Sequence, residues 1–215
     1  MCVNYRPTDA EILEAMTDLS PAGLPAWKAE VWQDYAAPIV RAAEADKPQL
    51  GLATYGMVPK AKAPPGVAMS TMNARAETIG QKRSFAAAWR NTQTCLVPTQ
   101  WFYEPNWETG RAQRWAIGMA DGEPFYVAGI WRAWDDGEGG ETYSFTQITV
   151  NADEHAVMKH FHKPGSEKRS LVVIPRDEAE AWLQVDDPER ARSMLALYPA
   201  ELMKAWPAEK DYGSR

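Results

Sequence analysis

The strongest constraint on this chain is a succession of apolar, β-branched and aromatic runs of strand length. They fall at Leu50–Met57, Thr94–Tyr103, Arg114–Met119, Phe125–Trp134, Tyr143–Val150 and Ser170–Ile174. Such runs, bounded by Gly, Pro, Asp and Asn, read as strands. The polar stretch Asp135–Glu141 (DDGEGGE) predicts a tight hairpin turn between two of them. Val58–Met69, with three prolines and a glycine, forbids a regular element. Helix signals lie at the margins: Asp9–Met16 with Thr8 and Glu11 as a capping box, and Ser84–Arg90. Asn151 followed by Glu154 predicts a capped helix to about Lys159. Pro175–Gln184 and Pro188–Leu197 follow, the second with Asp187 as N-cap and Pro188 at the first helical position. Consecutive strands with flanking helices predict an α+β fold on a mostly antiparallel sheet. The pattern leaves open whether that sheet closes.

The chain has 215 residues and no linker-like or repetitive segment, so residues 1–215 are expected to form a single domain. A chain of this size buries roughly 70% of its unfolded surface, enough for a real core. No run of about 18 apolar residues occurs, so no membrane span is expected. The start, MCVNYRPTDAEIL, lacks the layout of a signal peptide. Two cysteines, Cys2 and Cys95, make no disulfide framework and fit a reducing compartment, so a cytoplasmic protein is expected. The net charge is −6, which argues against a protein coated in nucleic acid. The charge is uneven, however. From Pro59 to Thr92, six basic residues stand against the single acid Glu77, whereas Arg176–Arg192 is acidic. A basic groove on an acidic body fits this distribution. Ten tryptophans offer core, stacking platforms or both, and core is the simpler reading for most.

Four elements have chemistry to offer. Removal of Met1 would leave Cys2 with a free α-amine and a thiol on adjacent carbons, a pair that condenses with an aldehyde to a thiazolidine. Reference pKa values of about 8 for the amine and about 8.5 for the thiol make both available near neutrality. Met72 to Thr78 supplies Asn73, Arg75 and Glu77: an amide, a phosphate-binding fork and a carboxylate. As local structure alone, that stretch is a polar turn entering the helix that holds Arg83 and Arg90. Glu104 ends a strongly apolar strand among Trp101, Phe102, Tyr103 and Pro105. Desolvation there would suit its carboxyl to acid–base work; the plain alternative is a glutamate turned to solvent. The segment His155 to Arg169 holds all three histidines, His155, His160 and His162, with lysines and an arginine around them. No partner Cys/His cluster accompanies them, so no metal and no cofactor are expected. One histidine as an acid–base group, or a solvated basic loop, are the two readings of this segment.

In this order, the four elements resemble the SOS response-associated peptidase family of abasic-site-processing, DNA-crosslinking proteins. The matching residues are Met1-Cys2, Asn73-Ala-Arg-Ala-Glu77, Phe102-Tyr103-Glu104, and Phe161-His162 before the apolar run Leu171–Ile174. Thr94-Cys95-Leu96-Val97-Pro98 resembles a further strand of the family. Departures occur where the family has Gly-Arg after the cysteine (here Val3-Asn4, with Arg6 the nearest arginine). They also occur in its Trp-Gly-Leu-x-Pro-x-Trp stretch (here Tyr55 to Lys60), and after the glutamate, where Pro105 replaces a common Trp. Counting without gaps from Thr149 points to His160, whereas the local Phe-His context points to His162, and we assign His162.

The resemblance implies a barrel-like sheet with a groove for one strand, and a monomer whose partner is single-stranded DNA bearing an abasic site. Catalysis would fall to Cys2, Asn73, Glu104 and His162: Cys2 as nucleophile, Asn73 orienting it or the sugar, Glu104 shuttling protons, and His162 assisting opening of the sugar ring. DNA contacts would come from Arg75, Arg6 and Lys163. The peptidase label would refer to self-removal of Met1, and bound protein would sit on the nucleoid. Two other readings fit the same residues. One is an N-terminal-nucleophile cysteine amidohydrolase. The other is a non-catalytic module that binds single-stranded nucleic acid through basic and aromatic side chains.

Overall fold

All six expected runs are strands, and four short segments that the apolar pattern does not announce complete the sheet. The computed structural model describes residues 3–42 and 47–208. Its strands are β1 (Tyr5–Pro7), β2 (Ala36–Ala42), β3 (Pro48–Tyr55), β4 (Asn73–Arg75), β5 (Thr94–Asn106), β6 (Gln113–Met119), β7 (Phe125–Asp135), β8 (Glu141–Asn151), β9 (Arg169–Leu171), β10 (Val173–Ile174) and β11 (Met203–Pro207). All eleven join one sheet, in which β7, β8, β3, β2 and β5 close a five-stranded barrel through the β5–β7 pairing. Pairing is antiparallel except where β3 and β4 each run parallel to β8. Among the described residues four helices lie outside: α1 (Ala10–Thr17), α2 (Ala86–Arg90), α3 (Ala179–Leu183) and α4 (Pro188–Ser193). The fold is thus α+β, with a mostly antiparallel, barrel-like sheet. No helix among the described residues is long and apolar enough to cross a membrane.

Two apolar clusters flank the barrel wall. Inside sit Tyr5, Tyr55, Cys95, Val97, Phe102 and Phe145; outside, under α2 and α3, sit Ile79, Phe85, Trp89, Leu96 and Trp182. The Trp182 indole donates to the Cys95 carbonyl at 2.9 Å, and the Thr94 hydroxyl donates to the Trp182 carbonyl at 2.9 Å, which fastens α3 to β5. Burial pushes the Cys95 thiol pKa far up, so it is inert packing. A Cβ at Gly129 would stand 2.8 Å from both Cys95 Sγ and the Thr146 carbonyl oxygen. Gly129→Ala should therefore overpack the barrel and destabilise by about 1–3 kcal/mol. A lower urea midpoint with an unchanged slope would show it.

Three local expectations are corrected. The N-cap of α1 is Asp9, not Thr8. Thr8 is buried and engaged through its backbone with Pro98 and Trp27, so no capping box forms with Glu11. No helix runs from Asn151 to Lys159. Asn151 is the last residue of β8, and its side chain turns the chain by accepting from the Asp153 amide at 3.1 Å, after which only a 3₁₀ turn, Met158–His160, appears. The segment from Asn73 is β4, not a turn. Parallel pairing with Gln147, Ile148 and Thr149 of β8 overrides its polar, strand-poor composition. Asp187 does cap α4, accepting from the Glu189 and Arg190 amides, but the helix ends at Ser193. Of the tryptophans, Trp89 and Trp182 are core. Seven others are half-buried, and Trp101, Trp131, Trp134 and Trp206 among them carry a cation on the ring.

Candidate active site

One extra residue in β5 aims the glutamate. Cys95 and Val97 point into the barrel, and Leu96 points out. Against β1, Arg6 faces Trp101 but Pro7 faces Thr99, so Gln100 is a bulge. The bulge switches the inward parity from odd to even residues. Phe102 and Glu104 therefore face inward, and Glu104 is only 3% exposed.

Opposite it, a bridge between Asn106 and Phe161 brings the next loop against the end of β5, and the His162 amide donates to the Pro105 carbonyl at 2.9 Å. His162 adopts φ = 65°, a left-handed conformation that costs a non-glycine residue about 1–2 kcal/mol. The observed result is a buried pair, with His162 Nδ1 3.1 Å from Glu104 Oε2. The other ring nitrogen, Nε2, lies 3.0 Å from the Arg169 carbonyl oxygen. A carbonyl only accepts, so Nε2 carries a hydrogen. A hydrogen bond between Nδ1 and Oε2 then requires one more proton, on either the imidazole or the carboxyl. Nδ1 and Oε2 therefore face each other within reach of a proton transfer, in a site shielded from water.

Arg169 anchors the surroundings. It is 2% exposed, and its guanidinium meets both Glu77 oxygens at 2.9 Å, Glu167 Oε1 at 2.7 Å and the Thr149 carbonyl at 2.7 Å. Burial acts to raise the Glu77 carboxyl pKa, but the Arg169 hydrogen bond and charge outweigh it, and the net shift is downward. Glu167 is also held below the usual carboxylate range, first by its Arg169 hydrogen bond. Burial works to lower the Arg169 pKa, and its two carboxylate partners more than reverse that. Arg75, two residues along β4 from Asn73 and on the same face, places NH1 2.8 Å from Glu167 Oε2. The Asn73 side-chain oxygen is enclosed.

Two clefts open on either side of Pro105. One, of about 360 Å³, is lined by Arg75, Trp107, His162, Lys163, Glu167 and Arg169. The other, of about 370 Å³, holds Asn4, Trp32, Tyr103, Glu104 and Arg114. In the second, Arg114 stacks on Tyr103 at 3.4 Å and pairs with Glu30 at 2.6 Å; Asn4 donates to the same carboxylate. The Tyr103 amide donates to the Asn4 carbonyl at 3.2 Å, which pins residue 4 beside the neighbour of Glu104.

The residues singled out from sequence are thus partly assembled. Glu104 and His162 are in contact, and Arg75 and Lys163 share the first cleft. Arg6 stands apart, on the outer face of the β1–β5 ladder, with its guanidinium on Gln100, Asp9 and the Trp101 ring. Cys2 lies outside the described residues. His160 pairs with Glu108 at 2.7 Å on the surface. His155 accepts the Val157 and Met158 amides and meets the Tyr198 carbonyl at 2.8 Å, so it is a structural cap. Among the described residues no group of His, Cys, Asp and Glu is placed to hold a metal. Tyr55, at the departure from the family's Trp, is buried in the barrel and donates to Gln147 at 2.9 Å. Arg169, Glu167, Trp107 and Arg114 were not picked out individually. Nothing in their local sequence marks them: Glu167 and Arg169 lie among other charges just before an apolar run, and Trp107 and Arg114 flank the turn between β5 and β6.

The chain is similar to several known proteins. The chain is 28% identical over 165 residues to the abasic site processing protein YobE of Bacillus subtilis, covering 74% of this chain and 70% of that one. It is 26% identical over 178 residues to the abasic site processing protein HMCES of Pongo abelii, covering 68% of this chain and 48% of that one. A crystal structure of a protein from Bordetella bronchiseptica superposes with a TM-score of 0.84 at 28% identity, over 97% of this chain and 100% of that one. The family model described as SOS response associated peptidase matches residues 1–214. With that match spanning nearly the whole sequence, the chain belongs to the SOS response-associated peptidase family.

Proposed function

We propose that this protein processes abasic sites in DNA by crosslinking itself, through a mature N-terminal Cys2, to the aldehyde of the lesion in a single strand. The observation that carries the reading is the buried Glu104–His162 pair, 3.1 Å apart, beside a cleft to which Arg75, Lys163 and Arg169 contribute. The chemistry needs such a pair. The Cys2 amine adds to the aldehyde carbon to give a carbinolamine. Loss of its hydroxyl as water requires a proton, which Glu104 supplies, and leaves an imine. The Cys2 thiol then adds across C=N: sulfur bonds to carbon, and nitrogen takes the proton. The sum is amine, thiol and aldehyde to thiazolidine and one water. His162 assists the preceding opening of the sugar ring and returns the proton to Glu104. Asn73 orients Cys2 or the sugar.

Position supports the assignment as well. Asn4 is pinned beside Tyr103, and two residues of chain, reaching about 7 Å at most, join it to Cys2. Arg75 and Lys163 line the cleft on the His162 side and take phosphates, bidentately in the case of Arg75. Arg6 serves only strand leading away from the site. We place residues 1–215 in one domain acting as a monomer, and assign Met1 removal to the protein's own peptidase activity. Intact mass after incubation with an abasic single strand is the test. The gain expected is that of the strand less one water, and it should be absent with an undamaged strand. Failure to gain mass with processed protein would overturn the reading.

A further inference from the structure

We infer that Glu167 occupies, in the free protein, the place that a backbone phosphate of the single strand takes when DNA binds. Two guanidinium groups converge on this one carboxylate: Arg169 NH1 on Oε1 at 2.7 Å, and Arg75 NH1 on Oε2 at 2.8 Å. Asn151 Nδ2 adds a bond to Oε1 at 3.2 Å. A phosphodiester presents the same two anionic oxygens to the same forks. Arg169 does not need Glu167 for its charge, because Glu77 already meets it through both oxygens at 2.9 Å. What Glu167 neutralises is Arg75, whose side chain is 47% exposed and lines the cleft beside His162.

The carboxylate is also free to leave. Glu167 sits on an exposed turn, two residues after Gly165 with its φ of 77°, and that turn is closed by bonds from the Ser166 amide and hydroxyl to the Lys163 carbonyl. Those bonds do not involve the Glu167 side chain, so side-chain rotation alone vacates the subsite. Arg169, buried and still held by Glu77, stays in place to receive the phosphate with Arg75. A strand must therefore displace an internal anion to seat beside the Glu104–His162 pair. That lowers affinity for DNA in general and favours strands that gain further contacts at the lesion.

This inference rests on the reading of the cleft as a DNA site, and the experiment separates the two. Binding of a labelled, undamaged oligothymidine strand is measured by fluorescence anisotropy at several salt concentrations. The proteins are wild type, E167Q, E167A, R75A and E167Q combined with R75A. Both Glu167 variants are expected to bind about tenfold more tightly, the size of one charge-assisted interaction no longer competed for. Their salt dependence should steepen by about 0.7 in log–log slope, one further phosphate neutralised without an internal anion to replace. Arg75→Ala should erase the gain. Equal or weaker binding by both Glu167 variants, with R75A still weak, overturns the inference alone. Indifference of binding to R75A in either background overturns the DNA-cleft reading itself.

Discussion

A preparation carrying even one residue ahead of Cys2 should form no stable adduct with abasic single-stranded DNA, while binding an undamaged strand as the processed protein does. The reason is electronic. In a peptide bond the nitrogen of Cys2 loses its lone pair to the carbonyl, so it can neither add to an aldehyde nor close a thiazolidine. As a free amine, with a reference pKa of about 8, it is partly unprotonated at neutral pH and nucleophilic. Cys2→Ala on a processed chain gives a different failure. The new amine can still form an imine, but no thiol is present to trap it. The product should vanish on denaturation unless borohydride reduces it first. The two variants together assign the nitrogen and the sulfur separately. A stable adduct from protein retaining Met1 would sink the mechanism, because in that chain no primary amine stands on the carbon adjacent to one that bears a thiol.

Four of the five barrel strands were legible because they are continuous apolar runs bounded by turn-forming sequences, and β5, β7 and β8 follow the expected runs within two or three residues; β2, Ala36–Ala42, was not. What was not legible depends on partners far away in sequence. β4 is three polar and small residues, Asn73-Ala-Arg75, and is a strand only because β8 lies beside it. The helix expected after Asn151 does not form, because its polar cap chemistry, Asn then Glu, serves a turn as readily as a helix start. The site shows the same division. Glu104 was found by its apolar setting. Yet simple alternation from Cys95 and Val97 turns its side chain outward with Leu96, and only the bulge at Gln100 brings it inside. The choice between His160 and His162 likewise depends on geometry. The positive φ and the bridge to Asn106 bring His162 to Glu104, while His160 faces Glu108 at the surface. Arg169 could not be read as a site residue, because a lone arginine before an apolar strand carries no signal of the carboxylates folded around it.

Glu104→Gln should slow crosslinking by roughly 10²–10⁴-fold, about 3–5 kcal/mol of barrier, with little change in DNA affinity. The substitution is conservative in shape, and in hydrogen bonding too. The His162 Nε2 hydrogen is committed to the Arg169 carbonyl, so Nδ1 of the neutral ring is an acceptor, and the Gln amide can donate to it as a protonated Glu104 would. The pair stays joined and the pocket filled. What disappears is the transferable proton, so carbinolamine must expel hydroxide rather than water. Single-turnover kinetics with an abasic strand, set against equilibrium binding of an undamaged one, separate the two effects. The histidines then divide the remaining work. His162→Ala should slow reaction with the ring-closed abasic sugar more than with an open-chain aldehyde, since opening the hemiacetal needs a base that a simple aldehyde does not. His160→Ala, which removes only a surface partner of Glu108, should leave both rates near wild type. If Glu104→Gln crosslinks at the wild-type rate, the carboxyl is structural and proton transfer through it plays no part in the reaction.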